Sequence, residues 1–113
     1  MIEMKVEIKT LDDSTAGDAN LKRELLNCFE SEFSNIGNVL NSLLLKGDNA
    51  GMAAELHKLK GAVGIFGFVN LANFIEDFEK KLLADENVNY SALLPELSRS
   101  IDEHVVELKR YIY

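Results

Sequence analysis

Apolar residues recur every three or four positions through most of the chain beyond residue 20, the spacing that lines one face of an α-helix. Leu25, Phe29, Phe33, Ile36, Leu40 and Leu43 form one such stripe and predict a single long helix from Leu21 to Leu45. Asp18 or Asn20 can serve as its N-cap. The break "KGDNAG" follows, with Gly47 suited to stop one helix and Asp48 to cap the next. Met52, Leu56, Leu59, Val63 and Phe66 mark a second helix that Gly67 can end. Leu71, Phe74, Ile75, Phe78 and Leu82 mark a third, from about 69 to 84, and "DENVN" reads as the next turn. Leu94, Leu97, Ile101, Val105, Leu108 and Ile112 mark a fourth, over about 91 to 111. Pro95 has to fall near its first turn or kink it, because it lacks the N–H that an interior position needs.

The amino end follows a different rule. "MIEMKVEI" alternates apolar and polar residues as a short strand would, but no second strand is in sight, so it reads as an extended arm. "TLDDSTAGDAN" is rich in turn formers and reads as a loop. The expected fold is all-α: an antiparallel up-and-down four-helix bundle over residues 18–113, with an N-terminal extension, arm or linker, over 1–17.

Composition narrows what such a bundle can do. A length of 113 residues suits one core. The net charge of -7 argues against general binding to nucleic acid or to an anionic membrane surface. No apolar run is long enough for direct membrane insertion and no signal-peptide pattern opens the chain, so a cytoplasmic location is expected. Cys28 is the sole cysteine, which rules out an internal disulfide; on a helical segment it reads as a small apolar filler. Carboxylate bundles that hold metals place a Glu three residues before each His, but Ala54 and Ile101 occupy those places here, so no metal site is expected.

The candidate chemistry lies in "LHKLKGAVGIFG", residues 56–67, which spends three glycines in seven residues. Each glycine inside a helix costs about 1 kcal/mol relative to alanine. If Leu56, Leu59, Val63 and Phe66 point inward, then His57, Lys60, Gly61 and Gly64 share an outward face, linked by steps of three and four. Core crowding cannot explain glycines on that face. Clearance for a partner's surface beside His57 can. An unperturbed imidazole titrates near pH 6.5 and is a nucleophile at neutral pH. Lys60, one turn on, can place an ammonium beside an anion that the ring acquires. Glu79, at the edge of the third helix's stripe, can accept the Nδ1 proton of His57 and leave Nε2 free to attack. His104, in "IDEHVV", carries no such company and reads as an ordinary solvated side chain.

"HKLKGAVGIFG" resembles the His-x-x-Lys-Gly motif, with a further Gly, of histidine-containing phosphotransfer domains. The likeness extends through "LANFIEDFEKKL" and more loosely over "CFESEF" and the last helix, about residues 20 to 113. The resemblance implies a four-helix bundle that carries a phosphoryl group between the aspartates of receiver domains. His57 then matches the phosphoacceptor, Lys60 the lysine that neutralises the phosphate, and Glu79 a residue that orients the ring. Gly61 and Gly64 match small residues under the docked receiver, and Gly67 the glycine that closes the helix. Ile65 departs from the pattern, standing where many members have a polar residue, and bears on partner preference. Because receivers are acidic around their aspartate, Lys58, Lys60, Lys80 and Lys81 are expected to form a local basic rim. The resemblance further implies a monomer with no cofactor of its own and no ATP-dependent kinase activity, Mg²⁺ belonging to the receiver. The rival reading is a helical interaction module that performs no covalent chemistry.

Overall fold

The computed structural model describes residues 2–84 and 87–113 and is all-helical. Six helices follow one another among the described residues: α1 (Ile8–Thr15), α2 (Ala19–Phe33), α3 (Ile36–Leu45), α4 (Asn49–Ile65), α5 (Val69–Leu83) and α6 (Tyr90–Ile112). Of the predicted "DENVN" turn, Asp85 and Glu86 lie outside the described residues. The hydrophobic stripes close on a single core in which Leu26, Leu40, Met52, Leu56, Leu59, Val63, Leu71, Ile75 and Leu108 are fully buried.

The predicted long helix over 21–45 is two helices. After Phe33 the sequence runs Ser-Asn-Ile-Gly-Asn, residues whose side chains compete for the backbone or lose most entropy in a helix. The chain turns at Ser34 and Asn35, and the Asn38 amide donates to Asn35 Oδ1 at 2.7 Å across the break. Phe33 and Ile36 both stay inward, so the stripe continues through the turn and hides it. Asp18 is the N-cap of α2, accepting from the backbone N–H groups of Asn20 and Leu21. Asp48 caps α4 in the same way, accepting from Gly51.

The stretch read as a loop contains α1, whose single strong anchor, Leu11, is fully buried. One leucine in eight residues is too little periodicity to betray a helix. Thr15 is buried as well, its hydroxyl donating to the Leu11 carbonyl at 2.8 Å. Ala16 and Gly17, both at positive φ, end the helix, and Lys22 of α2 pairs with Asp12 of α1. The arm before α1 does find a partner. Val6 forms an isolated antiparallel bridge with Phe68, and the Glu7 N–H donates to the Gly67 carbonyl at 2.9 Å.

Three further expectations are corrected. Phe74 is only half-buried, and Phe68 takes its place in the core, stacked on Phe66 at 5.6 Å. Cys28 is exposed and fills nothing, because Leu25 and Leu26 supply the inward contacts of that turn. His104 is not solvated: it is 0% exposed, its ring set edge-on to Phe68 at 5.0 Å. Pro95 lies inside α6, beyond its first turn.

For function, the decisive unit is the hairpin of α4 and α5, joined by residues 66–68. Gly67 makes that short connection possible with φ +75°, and a Cβ there would also collide with the Glu7 backbone. No described helix is long and apolar enough to cross a membrane.

Candidate functional site

The inward row Leu56, Leu59 and Val63 fixes the rotation of α4, so that His57, Gly61 and Gly64 all face outward. His57 stands in the middle of the helix, away from its fraying ends. A Cβ built at Gly61 or at Gly64 would meet nothing within 4 Å. The two glycines are therefore open ground beside the ring, and among the described residues no neighbouring element comes down on them. Ile65, at the end of that face, is 40% exposed. Beside it, Leu25, Cys28, Phe29, Ala62 and Ile65 help line a shallow, mainly apolar cleft of about 130 Å³ between α2 and α4.

Glu79 approaches from α5. Its two carboxylate oxygens lie 3.2 and 3.3 Å from His57 Nδ1. The carboxylate is mostly covered, at 17% side-chain exposure, while the imidazole is 73% exposed. An ionised carboxylate can only accept, so the proton belongs on Nδ1 and the lone pair on Nε2, the opposite edge of the ring. The arrangement is an outward nucleophile held from behind.

One turn further along the hairpin, Lys60 Nζ lies 3.8 Å from Glu76 Oε2. Lys80 Nζ lies 3.3 Å from the other oxygen of the same carboxylate. The Lys80 hydrogen bond first, and then the Lys60 charge, hold the Glu76 carboxyl below the usual carboxylate range. Lys58 lies 3.8 Å from Glu32 and 3.9 Å from Glu55. Lys81 is exposed, with no ion pair among the described residues. The expected basic rim is thus offset by the chain's own acids: Glu32, Glu55 and Glu76 compensate Lys58, Lys60 and Lys80, and Lys81 alone stands apart.

Sequence reasoning missed these three glutamates, since a charged residue on a helix is ordinarily a solvated one. Glu76 carried a signal nonetheless. It stands three residues before Glu79 as Lys60 stands three after His57, so an antiparallel hairpin that joins one pair joins the other. Among the described residues, no group of three or more His, Cys, Asp or Glu side chains is placed to hold a metal ion.

Comparison with known proteins identifies a family. The family model described as "Hpt domain" matches residues 24–110. The chain is 27% identical over 107 residues to Sensor protein EvgS of Escherichia coli strain K12, and equally to Sensor protein EvgS of Escherichia coli O157:H7. Each alignment covers 95% of this chain but only 9% of the relative, so the chain spans a small part of the length of these curated relatives. No solved structure matches at a significant level.

Proposed function

The chain belongs to the Hpt domain family, and from that premise we propose that it is a phosphocarrier in a two-component phosphorelay, accepting a phosphoryl group on His57 from a receiver-domain aspartate and passing it to another. Nε2 of His57 attacks the phosphorus of the acyl phosphate in line. The N–P bond forms as the P–O bond to the aspartyl carboxylate breaks, through a loose, metaphosphate-like transition state. The ring becomes positive while its Nδ1 proton faces Glu79, which balances that charge and keeps Nε2 aimed outward. Transfer to the second receiver reverses these steps.

Lys60 neutralises the arriving phosphoryl group, and Gly61 and Gly64 admit the receiver's surface. Ile65 and the cleft beside it give the receiver an apolar contact, and Lys58, Lys80 and Lys81 flank it with charge. The bundle supplies a rigidly placed nucleophile and no nucleotide site, with Mg²⁺ carried by the receiver. In this reading α2 and α3 together form the first rod of an antiparallel four-helix bundle, with α4, α5 and α6 as the other three. The protein acts as a monomer in the cytoplasm.

A single observation carries the reading: an exposed imidazole anchored through Nδ1 by a covered carboxylate, next to two glycines with open space above them. Incubation with a phosphorylated receiver should give an acid-labile, base-stable label on the wild type and none on His57→Gln. An unlabelled wild type, offered every receiver of its own proteome, would leave the interaction module as the better account.

A further inference from the structure

His57 with Glu79 and Lys60 with Glu76 are successive cross-links of the α4–α5 hairpin. The second differs from the first in having a third member. The Glu76 carboxylate is shared between Lys60 on the opposite helix, at 3.8 Å, and Lys80 on its own, at 3.3 Å. The longer distance is that of a charge held nearby without a tight hydrogen bond. Lys60 is therefore drawn toward α5 but not locked there.

We infer that Glu76 is a positioning residue that competes with the phosphoryl group for the Lys60 ammonium, and so sets how firmly the phosphorylated domain holds its cargo. The inference rests on the phosphocarrier reading. Before transfer, two ammoniums share one carboxylate. A phosphoryl group brings a charge of about -1.5 to -2 within reach of Lys60. Lys60 can then leave Glu76 without stranding a bare carboxylate, since Lys80 stays to compensate it. The exchange moves one ammonium between two anions and makes no new unpaired charge. A carrier needs this balance. A lysine wholly given to the phosphate would deepen the phosphohistidine well and slow the onward step, whereas a lysine wholly held by Glu76 would leave the phosphate uncompensated.

The test loads His57 chemically with phosphoramidate, which needs no receiver. The P–N bond of the reagent breaks, ammonia leaves and a new N–P bond forms at Nε2. The chain has two histidines and His104 is buried, so the ³¹P signal reports His57. The pH midpoint of that signal is read for the wild type, Glu76→Gln, Lys60→Ala and the double variant, with thermal melts to show that each is folded. Freeing Lys60 by Glu76→Gln should lower the midpoint by roughly half a pH unit, about three-fold in proton affinity, on the scale of an exposed ion pair. In the Lys60→Ala background the same substitution should move it by less than half as much. No shift, or an equal shift in both backgrounds, overturns the inference, the second because Glu76 would then act on the phosphate directly. A wild type that loads but takes nothing from any receiver, with the shift still seen in Glu76→Gln, would sink the phosphocarrier reading alone. Failure of phosphoramidate to load His57 would sink both.

Discussion

His57 Nδ1 and the Glu79 carboxylate stand 3.2 Å apart across the α4–α5 hairpin, the ring largely in solvent and the acid largely out of it. The asymmetry matters because the covered partner fixes the exposed one. A covered carboxylate on a packed helix restricts an exposed imidazole to one tautomer and one range of ring angles. Glutamine at position 79 keeps an acceptor for Nδ1–H but not the charge, and alanine keeps neither. Single-turnover transfer from a phosphorylated receiver should slow about ten-fold in Glu79→Ala and by less in Glu79→Gln, below the roughly 100-fold or more of a group that itself transfers the proton, because Glu79 acts through the ring. Equal losses would assign the effect to charge, and an unimpaired alanine variant would strip Glu79 of its part.

Leucine at position 64 separates clearance from chemistry. A Cβ there meets nothing within 4 Å among the described residues, and leucine favours helix over glycine by about 0.5–1 kcal/mol, so Gly64→Leu should melt a few degrees higher than the wild type. Phosphoramidate, a small reagent, should load His57 at an unchanged rate. Transfer from a receiver, which must lay its surface over the glycine, should fall by about ten-fold or more. Receiver transfer at the wild-type rate would place the docking face elsewhere on the molecule.

Gly61 and Gly67, six residues apart, should respond to alanine with opposite sign. Gly61 is helical with open space above it, so Gly61→Ala should stabilise by about 0.5–1 kcal/mol. Gly67 sits at φ +75° with the Glu7 backbone against it, so Gly67→Ala should destabilise by more than 1 kcal/mol. Urea unfolding of the two variants checks both signs. A stable Gly67→Ala would mean that the arm is free to move aside.

The long amphipathic stripes were legible because each repeats one spacing over about three turns or more, and the outward row of α4 because its four residues share one face across about two turns. The break at Ser34–Asn35 was not, since Phe33 and Ile36 keep helical spacing on both sides of it. The helix α1 escaped because Leu11 is its lone strong anchor, and its place in the core depends on tertiary contacts with α2 and α4. The site shows the same division. His57, Gly61 and Gly64 lie on one helix, so a helical wheel suffices, and Glu79 could be reached by crossing a short turn. The pairing of Lys58 with Glu32 joins helices far apart in the chain, which no wheel predicts. His104 was misread for another reason. In "IDEHVV" its neighbours Asp102 and Glu103 are exposed, yet it stands three residues after Ile101 and four before Leu108 on the buried face of α6, and a polar side chain at a stripe position masked that spacing.

The burial of His104 has a consequence for stability at mildly acid pH. Its Nδ1 lies 2.7 Å from the Ser100 carbonyl, an acceptor, so the ring's proton sits there and the buried Nε2 is left without a partner. Burial holds the imidazole below its ordinary value, against the opposing pull of the Ser100 carbonyl and the Glu103 charge. In the unfolded chain the ring protonates near pH 6.5. Above that pH it is neutral in both states, and the stabilisation is fully present. As the pH falls below 6.5 the unfolded chain binds a proton that the folded one resists, so stability declines until the folded ring's own lower value is passed. The slope from one such group is at most about 1.4 kcal/mol per pH unit. Urea unfolding at pH 7 and pH 5.5 should show a loss of roughly 1 kcal/mol in the wild type beyond that in His104→Leu, which has no proton to bind at this site. Subtracting the variant also cancels any contribution from His57, which both proteins retain. Equal pH dependence in the two would mean that water reaches the ring in solution. The expected difference would instead tie the packing of Phe68, and with it the Val6 bridge at the α4–α5 turn, to a histidine that takes no part in phosphotransfer.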